Sequence, residues 1–183
     1  MGESQASYLD LFPAWLRSLG EDAEKLAQIV PVERLPEPAR QALAGALNYL
    51  FKSLDLVPDG IDDIGYLDDA FVLRVAAEQI TREDVSDLPA EQLRALNRLA
   101  EEGRSVQQFL GKEFARFDAY VKGLRKASAR GRSIQDILHD SKVQAAFLSD
   151  VRGFAKAYEA PSFAREEKNL VKLRAFFDAK LPK

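Results

Sequence analysis

The chain has no cysteine and a single histidine, His139, in 183 residues. Without thiols there is no disulfide framework, no thiolate nucleophile and no zinc finger, and one imidazole does not assemble a His-rich metal site. Long apolar runs are also missing. The best candidate for a membrane span, around Leu43 to Val57, contains Asn48, Lys52 and Asp55 and falls short of the roughly 20 apolar residues a span requires. The stretch Met1-Gly2-Glu3-Ser4-Gln5-Ala6 has no basic segment leading into an apolar one, so no secretory signal is read there and a cytoplasmic location is expected. Phosphate loops, nucleophile elbows, Gly-rich dinucleotide fingerprints and metalloprotease pairs are absent, so no catalytic residue is named and a non-enzymatic helical interaction or scaffold module is the favoured function.

What the chain does contain is helical periodicity. Apolar residues recur at three- and four-residue steps, as in Tyr8, Phe12, Trp15, Leu19 and in Leu43, Leu47, Leu50, Leu54. A long stripe follows at Val106, Leu110, Phe114, Phe117, Val121, Leu124, and two more at Val143, Phe147, Val151, Phe154, Tyr158 and at Leu170, Leu173, Phe177, Leu181. The segment 67–80 is apolar nearly all round, with Arg74 the main interruption, and is expected to be the most buried helix. Pro36 and Pro38 suit a helix start, Ser133 with Asp136 reads as an N-cap pattern, and Pro161-Ser162 separates the last two helices. Gly103 followed by Ser105 and Gln108 predicts a helix boundary there, with a C-cap glycine and a new capping box. The expected fold is all-α, a single bundle of about six to eight helices over residues 1–183, with the C-terminal helices as antiparallel neighbours.

Charge is segregated along the chain. Residues 1–103 carry nine Lys/Arg against 20 Asp/Glu, a net −11, while residues 104–183 carry 17 against nine, a net +8. Lys122, Arg125, Lys126 and Arg130 are read as one basic helical face continued by Arg132 in the turn, a surface that could meet anions. A protein partner or self-association is favoured over nucleic acid, for which no binding motif is present, and peripheral contact with an anionic membrane surface remains an alternative.

The most unusual stretch is 55–69, DLVPDGIDDIGYLDD, with six aspartates around a proline and two glycines. The longer segment YLFKSLDLVPDGIDDIGYLDDAFVL resembles the signature of the YkvA-like bacterial domain of unknown function, through Tyr49, Leu50, Asp55, Leu56, Pro58, Asp59, Ile61, Gly65, Tyr66, Leu67, Asp68 and Asp69. Ser53, Gly60 and Asp62 depart from it, standing where the family has proline, phenylalanine and proline. The resemblance spans about residues 43–77 and implies a bacterial origin and a helical hairpin with the motif in its connection. It carries no settled activity. Tyr49, Pro58, Gly65 and Tyr66 are then structural motif positions.

The residues themselves allow two accounts of the aspartates. In the favoured one they cap: Asp55 the turn before Pro58, Asp59 a turn at Gly60, Asp62 or Asp63 the next helix, with Asp68 and Asp69 in its first turns where the dipole favours negative charge. Arg74, one to two turns on, would pair with Asp68 or Asp69. In the alternative, Asp55, Asp59, Asp68 and Asp69 hold a divalent cation such as Ca²⁺ or Mg²⁺, with metal-dependent hydrolysis as its enzymatic extension.

Overall fold

The computed structural model describes residues 5–183, so Met1 to Ser4, on which the reading of the N-terminus partly rests, lie outside it. Eight α-helices are present among the described residues: α1 Gln5–Ala27, α2 Glu37–Tyr49, α3 Leu67–Ile80, α4 Ala90–Leu110, α5 Phe114–Gly123, α6 Ile134–His139, α7 Ser141–Ala157 and α8 Glu167–Lys180. The fold is all-α, as the periodicity predicts. No described helix is long and apolar enough to cross a membrane.

One buried hydrophobic cluster takes residues from all eight helices. Its centre is α3, in which every residue except Glu78 is buried. This follows from its sequence, since a helix that is apolar on all sides has no face to give to water. Phe71 of α3 sits inside a nest of rings, with Phe12, Trp15, Phe109, Phe117 and Phe177 at centroid distances of 5.1 to 6.4 Å. These contacts tie α1, α4, α5 and α8 to the central helix, and the aromatic stripes are core.

Several local expectations change in three dimensions. Helix α4 runs straight through Gly103. That glycine is a packing residue rather than a C-cap: a Cβ there would lie 3.1 Å from the Arg74 carbonyl oxygen, so it lets α3 and α4 approach closely. The break falls at Gly111, whose φ of 54° ends α4 and starts a 3₁₀ turn, Gly111–Glu113, leading into α5. Helix α2 stops at Tyr49, so Leu54 leaves the second stripe and is 80% exposed.

The Arg130-Gly131 turn, with both φ values positive, closes a minimal antiparallel ladder of β1 Ser128–Ala129 and β2 Arg132–Ser133, a feature the helical pattern does not predict. Ser133 then caps α6, its hydroxyl accepting the Asp136 N–H at 3.1 Å. Asp140 caps α7 by accepting from Lys142 and Val143. Helices α7 and α8 both pack on α1, instead of forming a hairpin with each other, because an extended connection over 158–166 carries the chain away.

Candidate metal centre

The connection between α2 and α3, residues 50–66, is built on two side chains that close it like a clasp. Tyr49, the last residue of α2, donates its hydroxyl to Asp68 Oδ2 at 2.5 Å and accepts the Leu56 N–H at 2.8 Å. Asp68 Oδ2 also accepts the Val57 N–H at 3.1 Å. Two backbone donors that no helix or strand satisfies thus find buried partners, and Leu56 and Val57 enter the core ahead of Pro58. Tyr49→Phe should therefore cost about 1–3 kcal/mol, because it strands the Leu56 N–H. Urea unfolding checks this, and a loss under about 0.5 kcal/mol would show that the clasp does not hold the loop.

Beyond Pro58 the chain turns tightly. Ile61 N–H bonds Pro58 O at 3.1 Å and Gly65 N–H bonds Ile61 O at 2.9 Å. Gly65 presses on the loop's own backbone, so closely that a Cβ there would sit 2.2 Å from the Asp59 carbonyl oxygen. Tyr66 takes a positive φ of 66° just before α3, and its ring meets Tyr158 edge-on at 5.3 Å. The strain of a positive φ at a tyrosine is held by ring packing against α7 and its end. Asp63, also at positive φ, accepts the Ala164 N–H at 2.7 Å and fastens the loop to the segment before α8.

This geometry brings Asp59, Asp68 and Asp69 together, each with a carboxylate oxygen within 4.8 Å of the others. Asp68 is fully buried and Asp69 nearly so, while Asp59 stands at the exposed rim. Asp68 Oδ1 and Asp69 Oδ2 are buried without a hydrogen-bond partner. Three carboxylates with only oxygen to offer suit a hard divalent cation such as Ca²⁺ or Mg²⁺. Asp55 lies outside the triad but within its field.

The electrostatics record the crowding. Burial, then the neighbouring Asp59 and Asp68, pushes the Asp55 carboxyl up to about 7, with Lys52 opposing. Burial and then Asp68 raise Asp59 to about 6. Burial raises Asp68 against the lowering effect of its bonds from Tyr49 and Val57. Asp69 is held well above the ordinary carboxylate range by burial and then by Asp68, Asp59 and Asp55.

The capping account does not describe these contacts. Among the described residues Asp55, Asp59 and Asp62 make no capping bond, Asp63 reaches a distant segment, and the N-cap position before α3 is Tyr66, with no side-chain cap bond. Asp68 and Asp69 do lie in the first turn of α3, where the dipole favours them. Arg74 does not neutralise the cluster. Its guanidinium points to Glu102 (2.8 Å) and Asp22 (3.5 Å) and stacks over Trp15, 4.2 Å from the ring centroid. Helical spacing from Asp69 gave no sign of partners on α1 and α4, although Asp22 is itself an acid in an otherwise apolar stripe.

The five expected anion contacts divide into two groups. Lys122, Arg125 and Lys126 surround a concavity near the end of α5. Arg132 is drawn instead to Asp150 at 2.7 Å, and Arg130 lies over the Phe51 ring. The single basic face read from spacing is broken where α5 ends and the β1–β2 turn begins.

Residues 39–74 match a family model described as "Protein of unknown function (DUF1232)", the YkvA-like domain that the motif resembles. The match runs from α2 through the connection to Arg74 of α3. No curated protein and no solved structure matches the chain.

Proposed function

For a chain that carries a DUF1232 domain, we propose that the helical bundle is a divalent-cation-binding module whose site is formed by Asp59, Asp68 and Asp69. The observation that carries this reading is the pair of adjacent, buried carboxylates with orphan oxygens, faced by a third, with no salt bridge to any of the three among the described residues. Two like charges about 4 Å apart repel by about 4 kcal/mol near a protein surface, and an uncompensated buried charge costs several more. A dication removes both penalties at once. The rim position of Asp59 leaves room for water to complete the six or more oxygen ligands these ions take. The ligand set performs binding, and neither a nucleophile nor an acid–base pair is assigned to it.

Protons compete for the same oxygens. With Asp55 raised to about 7 and Asp59 to about 6, the folded, cation-free protein binds more protons than the unfolded chain between about pH 4 and 7. The stability these groups contribute is therefore present below about pH 4 and is lost as pH rises through 6 to 7. Cation binding displaces those protons, so affinity rises over the same window. Isothermal titration of Ca²⁺ and Mg²⁺ at pH 8 and pH 5, in buffers of different ionisation enthalpy, measures this. Saturable binding at pH 8, at least tenfold weaker at pH 5 and with proton release near neutrality, is expected. Absence of binding at pH 8 would remove the proposal.

A further inference from the structure

The concavity near the end of α5, of about 540 Å³, lies between α2, the turn after α5 and the start of α6 and is lined by Lys122, Arg125, Lys126, Gln41, Ser133 and Gln135. Its volume is that of a small-molecule site, and no acidic side chain among the described residues lines it. Lys122 is compensated, since its ammonium lies 2.9 Å from Asp118, which is also held by Gln79. Among the described residues Arg125 and Lys126 have no carboxylate partner, and the Arg125 Nε is buried without an acceptor. A guanidinium and an ammonium on the wall of one concavity, without a carboxylate among the described residues to balance them, give it a net positive charge that an anionic oxygen would meet.

Two of the nearby acids are already engaged. Glu37, which accepts from Gln41, also faces His139 at 3.1 Å, and Asp150 is occupied by Arg132. Ser133 Oγ accepts the Asp136 N–H, which leaves its hydroxyl proton free to donate into the pocket. Two uncompensated cations with convergent hydroxyl and amide donors match a compact dianion that has several acceptor oxygens. We infer that this pocket is a binding site for a phosphoryl group, presented either by a free phosphate compound or by a phosphate-monoester lipid headgroup. The concave shape favours one such group over the extended backbone of a nucleic acid.

Two arms separate the sources, both run with chelator so that the aspartate triad does not contribute. Inorganic pyrophosphate is titrated calorimetrically, and co-sedimentation is measured with phosphatidylcholine vesicles with and without phosphatidic acid. The variants are Arg125→Gln/Lys126→Gln, Gln135→Glu, which adds a carboxylate at the pocket, and Arg165→Gln, a remote exposed cation that pairs with Asp10. Melting temperatures confirm that each variant is folded. Saturable binding in at least one arm is expected, weakened at least tenfold by the double variant and by Gln135→Glu and less than twofold by Arg165→Gln. Pyrophosphate binding assigns a soluble ligand, and vesicle binding alone with the same variant pattern assigns a headgroup. No saturable binding in either arm, or equal losses in the remote control, would overturn the site.

Discussion

Gly65→Ala should unfold or severely weaken the protein, while Gly60→Ala five residues earlier in the same loop should be nearly silent. A Cβ on Gly65 would stand 2.2 Å from Asp59 O and 3.0 Å from Ile61 O, both backbone atoms that no side-chain rotation can move. The loop must open to admit it. That displaces Asp59 from Asp68 and Asp69, so the expected cost is roughly 3 kcal/mol or more, together with loss of cation binding. A Cβ on Gly60 meets nothing within 4 Å, and its φ is not positive, so the change should stay within about 1 kcal/mol and can be stabilising. Urea unfolding of the two variants gives the comparison. Equal costs would mean that the tight turn is not what positions the carboxylates.

Asp22→Ala is the second large effect. Arg74 is fully buried, and its charge is balanced by Asp22 on α1 and Glu102 on α4. Asp22 is 1% exposed and also accepts from Arg98 at 2.5 Å and from Ser18 at 2.8 Å. Removing its carboxylate leaves part of a buried guanidinium unpaired at the junction of three helices, a loss of about 3–5 kcal/mol. Arg98→Ala should cost about 1 kcal/mol or less, since that side chain is 42% exposed and water replaces much of its contact. Similar losses in both variants would place the stability in the surface pair instead of in the buried Arg74.

The contrast between these residues shows what the sequence makes readable. The all-α fold, the central position of α3 and the Ser133 cap follow from spacing and local hydrogen-bond chemistry, which act within one or two helical turns. Gly103 is different, because a C-cap glycine and a helix-contact glycine look identical until the partner helix, here the Arg74 backbone, is in place. Arg74 shows the same limit, since its partners lie 52 and 28 residues away. Of the candidate site, Asp59, Asp68 and Asp69 are legible as members of an aspartate-rich motif. Their convergence is not, because it depends on Tyr49 clasping the turn at Leu56 and on Gly65 passing close to Asp59. Asp63 stands among the same aspartates yet serves a structural tether to Ala164.

The central claim is that the triad is a repulsive carboxylate cluster in which a cation restores balance. Its most direct test is the melting temperature of the wild type and of Asp69→Asn at pH 8, each with chelator and with millimolar Ca²⁺ or Mg²⁺. A cation at a hundred times its dissociation constant stabilises by about 2.7 kcal/mol, which is roughly 5–10 °C for a chain of this size. The wild type should gain that rise. With chelator, Asp69→Asn should melt higher than the wild type, because an isosteric neutral group replaces a buried, partly unpaired carboxylate. It should gain little on adding the ion, and its advantage should shrink as the pH is lowered, because burial and the neighbouring Asp68, Asp59 and Asp55 hold the Asp69 carboxyl well above the ordinary carboxylate range. An unchanged wild-type melting temperature with either ion, and an Asp69→Asn variant that melts lower than the wild type in chelator, would contradict the account.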